Sequence, residues 1–308
     1  MRILFMGGTR FVGLAMVQSA LARGHQVDVF HRGSTPAPAL AGVRTILGDR
    51  NLDLSALANG EWDAVVDVCA YRPHEVESLA TALGQRAGLS VLVSSISAYA
   101  DDVPLYSNER AALMDTSVLA GQDLHTIPID GNSYGALKVL CERALAQHCH
   151  KHLIIRPTFV IGPNDYTQRF PEWVRRIAAG GDVSAPGPRD APMSYIDARD
   201  LAAFVILSIE RGSAGVFNVA ATTGPFSFQN FLEATVNVVG PVGTRLQWLP
   251  PDEAKASGKQ FPLWTAGAYE PKLAVDCGAA RALGLTCRPL QESAQDVDRW
   301  LKAVQGRG

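Results

Sequence analysis

An excess of charge of either sign is what this sequence most lacks: 28 Lys and Arg stand against 30 Asp and Glu, a formal net charge of −2 over 308 residues. Such a balance gives no general field for phosphate backbones or anionic lipid, so nucleic acid is not the expected partner. Cysteine is scarce. Cys69, Cys141, Cys149, Cys277 and Cys287 are odd in number and widely scattered, which excludes a simple disulfide framework and fits reduced thiols. No apolar run approaches the ~20 residues that cross a bilayer. The first apolar run, residues 3–6, meets Gly7 and Gly8 at once and leaves no room for the core of a secretory leader. The expectation is a cytoplasmic protein without membrane contact. Internal repeats and low-complexity tails are missing too, so neither an array nor a linker protein fits. With 47% hydrophobic and 19% charged residues, the chain can bury a large core.

Short apolar runs at 3–6, 27–30, 64–68, 90–94 and 153–155 alternate with helical stretches. That alternation predicts an α/β fold, a doubly wound parallel sheet with helices on both faces. After Asn132 and Ser133, both capping types, Leu137, Leu140, Cys141, Ala144 and Leu145 recur at steps of three and four, predicting a helix with one buried stripe and the other side in solvent. Residues 180–192 carry many Gly and Pro without periodicity and read as loop. The predicted division is a sheet domain of residues 1–162 and 190–221, with a smaller interleaved lobe of 163–189 and 222–308. His148, Cys149, His150 and His152 crowd together between a helix and a strand, where neighbouring side chains diverge. They read as a solvated connection, and no metal is expected.

Directly after the first strand stands Gly7-Gly8-Thr9-Arg10-Phe11-Val12-Gly13, followed by a helix that ends at Gly24. Strand, glycine turn and helix N-terminus make an anion site from free N–H groups and the positive end of the helix dipole. The loop resembles the Gly-x-x-Gly-x-x-Gly of extended short-chain dehydrogenases/reductases of the epimerase/dehydratase type, in the subset with Gly-Gly-Thr-Arg-Phe. Arg10 replaces the middle glycine, and a guanidinium can itself pair with phosphate. At the end of the second strand NAD-binding relatives carry an acidic residue, whereas this chain has His31-Arg32. Asp28 comes too early and would point within or behind the sheet. A 2′-phosphate held by Arg32 fits better, so NADP(H) is favoured over NAD(H). The resemblance implies a Rossmann cofactor site at Gly7, Thr9, Arg10, Phe11, Val12, Gly13, Arg32, Asp49, Arg50, Ala70, Lys138 and Pro157, with Asp49 meeting the adenine amine.

Tyr134 and Lys138 stand four apart at a helix start, hence on one face. A cation beside a phenol favours its conjugate base, which suits proton exchange with a substrate oxygen. Val93-Ser94-Ser95-Ile96-Ser97-Ala98-Tyr99 ends an apolar strand, where doubly wound sheets present ligands. The family places its catalytic Ser or Thr four residues before this aromatic, which selects Ser95, with Ser94 and Ser97 as alternatives. Arg156-Pro157 and Tyr195-Ile196-Asp197 resemble later family segments.

Family dehydratases carry Asp-Glu after the catalytic Ser or Thr; Ile96 and Ser97 stand here, so hydride transfer without carboxylate-driven elimination is implied. Nucleotide-sugar epimerases commonly have an arginine where Met193 stands, which points to a smaller or less charged polar substrate. Tyr71, Arg72, Ser97 and Arg189 are candidate substrate contacts. Residues 100–131 form either a flap or an ordinary surface excursion. Trp173, Trp248, Phe261 and Trp264 read as lobe core, or more sharply as pocket lining. Three functions remain: a ketoreductase, an epimerase with tightly held NAD, and, because some Gly-Gly-Thr-Arg-Phe relatives are RNA-associated, a non-catalytic RNA binder. The resemblance also raises homodimer formation.

Overall fold

Strands buried on both faces need apolar residues at successive positions, and parity then decides which helix layer each side chain meets. In the computed structural model, which describes residues 1–34, 40–266 and 270–306, the strands in chain order are β1 (Arg2–Met6), β2 (Gln26–His31), β3 (Val43–Leu47), β4 (Trp62–Asp67), β5 (Ala87–Val93), β6 (His152–Pro157), β7 (Phe159–Ile161), β8 (Asp182–Pro186), β9 (Tyr195–Asp197), β10 (Gly215–Val219) and β11 (Arg245–Leu249). The helices are α1 (Phe11–Ala22), α2 (Pro73–Leu83), α3 (Tyr134–His148), α4 (Arg169–Ala178), α5 (Ala198–Glu210), α6 (Phe228–Val239), α7 (Pro251–Ala256), α8 (Gly278–Ala282) and α9 (Leu290–Gln305).

Seven strands form one parallel sheet in the order β10-β6-β5-β4-β1-β2-β3. Ile3, Phe5, Val27, Val29, Ala64, Val66, Val91 and Ile155 face α1 and α5. Leu4, Met6, Phe30 and Val65 face α2, and Leu92 and Ile154 face α2 and α3. Chain order reverses at β1, which pairs with β2 on one side and β4 on the other, so the carboxyl ends of these strands border a crevice. Leu4 and Phe5 are fully buried, and each such side chain contributes roughly 2–3 kcal/mol of transfer free energy.

A second core, built on Phe170, Trp173, Phe231, Leu232, Ala294 and Val297, lies among α4, α6 and α9. The stretch 180–192, expected to be loop, contains β8, which pairs in parallel with β11. Its five residues are too short and too Pro-flanked to show a period. Residues 273–285, grouped with the lobe on sequence, return to the sheet layer: Leu273 and Val275 pack with Ile96 and Tyr99, and Ala280 and Leu285 join the α1–α5 core.

Helix α3 is not half-wet along its whole length: Arg143, Ala146 and Gln147 are exposed as expected, but residues 135–139, 141 and 142 are all buried, with α2 and the 116–119 turn packed against the helix. Nor does Ser133 cap it by its side chain: that hydroxyl donates to the Pro128 carbonyl at 2.6 Å, and Asp130 Oδ1 accepts the amides of Asn132 and Ser133 instead. Among the described residues no helix is long and apolar enough to cross a membrane.

Candidate active site

The chain leaves β1 through Gly7 and Gly8, at φ of 94° and 91°, in the left-handed region that glycine tolerates. A Cβ on Gly13 would lie 2.8 Å from the Cα and N of Gly8, so α1 can start this close to the strand end only with glycine there. The opening amides of α1 therefore border the crevice, an arrangement suited to a diphosphate. Arg10 is the N-cap in extended backbone, without a side-chain cap, and its guanidinium carbon lies 3.8 Å from the Tyr166 ring centroid.

From this loop a cleft of about 850 Å³ runs along the carboxyl ends of the strands. Thr9, Phe11, Val12, Arg32, Asp49, Arg50, Tyr71, Ser95, Ser97, Tyr134, Lys138 and Pro157 all line it. At one end, β2 finishes at His31 and Arg32 follows it, with no carboxylate in either place. Asp28 sits on the α2 face, buried, where Arg2, Arg44 and the Trp62 indole bond it. Burial opposes its charge, but the bonds from Arg44 and Trp62 outweigh that and hold it below the usual carboxylate range. Asp49 accepts the Asn51 amide at 3.0 Å.

Two expected cofactor contacts also bond within the protein. Arg50 pairs with Asp67 through both Nη atoms at 2.8 and 2.7 Å and donates to the Glu75 carbonyl. Burial works against its charge, yet Asp67 more than compensates and raises its pKa. Ala70 is off the cleft wall, and its carbonyl accepts from Lys138.

Lys138 is buried, its ammonium donating to the carbonyls of Ala70 and Val93 at 2.9 Å each. Its Nζ lies 5.7 Å from the Tyr134 ring centroid and 5.0 Å from that of Tyr71, and the two rings are 6.3 Å apart. Ser95 starts the turn Ile96–Ala98; its Oγ accepts the Ser97 amide at 3.1 Å, which uses a lone pair and leaves the hydroxyl hydrogen to donate elsewhere. Ser94, the neighbouring alternative, also borders the cleft but donates its hydroxyl hydrogen to Glu142 Oε1 at 2.5 Å.

One glycine sets the distance between the serine turn and α3. A Cβ on Gly135 would fall 2.2 Å from the Ser97 carbonyl oxygen, a backbone atom that must then move. Gly135→Ala is expected to lower kcat about 100-fold, the effect of a misplacement near 1 Å, with dinucleotide affinity close to the parent's. Steady-state kinetics beside a dinucleotide titration checks this, and an unchanged kcat would refute it.

Several candidates fall elsewhere. Arg72 donates to the Ile127 carbonyl at 2.8 Å and does not line the cleft. Arg189 lies over the Trp248 ring at 5.3 Å in the lobe, also off the cleft wall. Trp173, Trp248, Phe261 and Trp264 pack in the lobe core, not on the cleft. The 100–131 excursion is tied down by a Tyr99–Leu113 bridge and by the Tyr106 amide on the Ala274 carbonyl. It contributes Met114 and Gly131 to the cleft wall. His152 Nδ1 lies 2.9 Å from the Cys149 carbonyl, within the connection that joins α3 to β6.

The sequence reading missed Tyr166, Thr167 and Arg169 after β7, and Glu270 and Lys272 from the turn at Pro271–Leu273, all of which line the cleft. Lys272 pairs with Asp101 and lies 4.0 Å from Glu270. Burial pushes the Glu270 carboxyl up, only partly offset by Lys272. No local pattern marks these residues; the fold alone brings Glu270 and Lys272 to the cleft, with Leu273 packing on Ile96 of the serine turn.

The family model described as "NAD dependent epimerase/dehydratase family" matches residues 3–220. The chloroplast stem-loop binding protein of 41 kDa b of Arabidopsis thaliana is 27% identical over 239 residues, 71% of this chain, which spans 58% of that relative's length. The structure of the Bordetella bronchiseptica enzyme WbmG in complex with NAD and UDP superimposes with a TM-score of 0.73 at 18% identity, covering 99% of this chain and 96% of the other. That of UDP-N-acetylglucosamine 4-epimerase from Bacillus cereus gives 0.71 at 18% identity, covering 96% and 97%.

Proposed function

The chain belongs to the NAD dependent epimerase/dehydratase family, and from that premise we propose an oxidoreductase that reduces a ketone, or oxidises the matching alcohol, on a small polar substrate. One observation carries the reading: a single cleft joins the glycine loop to Ser95, Tyr134 and Lys138. The residues present fit a nicotinamide dinucleotide, since Gly13 lets α1 start hard against Gly8 and so brings the opening amides of the helix to the cleft wall. When bound, that group supplies or accepts the hydride. Tyr134 gives its phenolic proton to the substrate oxygen in reduction and takes it back in oxidation. The Ser95 hydroxyl hydrogen-bonds the same oxygen and shares its developing charge. Lys138, fixed by two carbonyls, orders the floor beneath both. With Ile96 and Ser97 after Ser95, the serine turn supplies no carboxylate for elimination.

NADP(H) is the proposed cofactor, because Arg32 stands exposed on the cleft wall while Asp28 is bound on the sheet's other face. Loss of a charge-assisted contact is worth ~1.5–3 kcal/mol. Arg32→Ala is therefore expected to weaken NADPH binding at least tenfold and to leave NADH within twofold, by fluorescence titration. Equal losses for both nucleotides would overturn the assignment. Tight retention of NAD, without net turnover of nicotinamide, would instead favour epimerisation by the same residues. An RNA-binding role, the reading implied by the Gly-Gly-Thr-Arg-Phe resemblance, would be recognised by affinity that falls steeply with salt.

A further inference from the structure

Tyr166 belongs to the loop between β7 and α4, whose backbone is firmly set. Asn164 and Gln168 both take left-handed φ, at 66° and 57°, and the fully buried Asp165 accepts the Thr167 amide at 2.9 Å and its hydroxyl at 2.5 Å. On this fixed loop Tyr166 nevertheless stays 51% exposed as a residue. It meets Arg10, which stands at the opposite wall, in the glycine loop, and forms no ion pair among the described residues. The contact thus spans the cleft between the cofactor loop and the lobe. Stacking occupies the face of a guanidinium and leaves its in-plane N–H groups open to phosphate oxygens.

We propose that Arg10 and Tyr166 form a clamp over the dinucleotide diphosphate: Arg10 pairs with the phosphates opposite the α1 amides, and Tyr166 holds the guanidinium across the opening. The inference rests on the dinucleotide reading above. A diphosphate seated on the α1 amides must pass this contact to leave, so the ring governs exchange in both directions while the guanidinium adds affinity.

Stopped-flow fluorescence of NADPH and NADH, as binding and displacement traces, separates these roles. A surface cation–π contact is worth a few-fold. Tyr166→Leu is expected to raise association and release rates together, each about fivefold, with Kd within twofold. Tyr166→Phe, which keeps the ring, should behave as the parent. Arg10→Gly, which restores the family glycine, should speed release at least tenfold and weaken Kd in proportion. A Tyr166→Leu release rate equal to the parent's removes the clamp alone, as does a Phe variant as fast as Leu. If the parent binds neither nucleotide, the dinucleotide reading fails and takes the clamp with it.

Discussion

Tyr134→Phe is expected to lower kcat about 1,000-fold, which is about 4 kcal/mol in the barrier, while dinucleotide Kd stays within twofold. The substitution deletes one oxygen and keeps the ring that faces Tyr71 and Lys138. Binding of the dinucleotide draws on the glycine loop at the other end of the cleft, so affinity and turnover should separate. Single-turnover kinetics with a fluorescence titration on the same preparation tests both halves. The demanding alternative is Tyr71, whose ring is nearer to the lysine ammonium, at 5.0 Å against 5.7 Å. Burial pushes the Tyr71 phenol above its ordinary value, so it keeps its proton at neutral pH and suits a fixed hydrogen-bond donor better than a group that must shed and regain a proton. If Tyr134→Phe retains more than a tenth of the parent's kcat and the further change Tyr71→Phe removes it, the roles are reversed.

What the sequence displayed was local. The glycine loop follows its strand without a gap, Tyr134 and Lys138 share a helix face by their spacing, and Asp28, too early along β2, was expected within or behind the sheet, where it lies. Partners that come from far along the chain were not legible. Arg50, expected at the cofactor site by its position after β3, does line the cleft, but its guanidinium pairs with Asp67, from the end of β4. Arg189 carries the charge a phosphate would want and instead stacks on Trp248, 59 residues later by subtraction of the two numbers. Tyr166 and Glu270 left no trace in any motif, since nothing near them repeats or alternates. The fold's layers follow from patterns a few residues long, whereas the cleft's outer wall depends on which loops the lobe happens to bring across.

Arg156-Pro157 shows the same divide within one motif: its presence was plain in the sequence, its work was not. Arg156 and Glu142 form a buried ion pair, their side chains 4% and 5% exposed, with Glu142 Oε1 also accepting from Ser94. The guanidinium lies 4.7 Å from the Tyr99 ring centroid and donates to the Glu109 carbonyl, and the Tyr99 hydroxyl donates to Asn218 at 2.7 Å. The network therefore ties α3, β6, β10 and the residues on both sides of the serine turn. Removing one member leaves an uncompensated buried charge, which costs ~3–5 kcal/mol, a large share of the ~5–15 kcal/mol that holds a domain folded. Glu142→Ala is expected to lower Tm by roughly 10 °C in calorimetry. A shape-conserving apolar exchange of both partners, Glu142→Met with Arg156→Met, should recover part of that loss, because no charge is then stranded. A Tm within 2 °C of the parent for Glu142→Ala would mean that water reaches Arg156 and that the pair is not sealed. Because Ser94 precedes Ser95 directly, the folded Glu142→Ala protein should also show a lower kcat at temperatures well below its transition, as the serine turn loses the anchor that fixes it against α3.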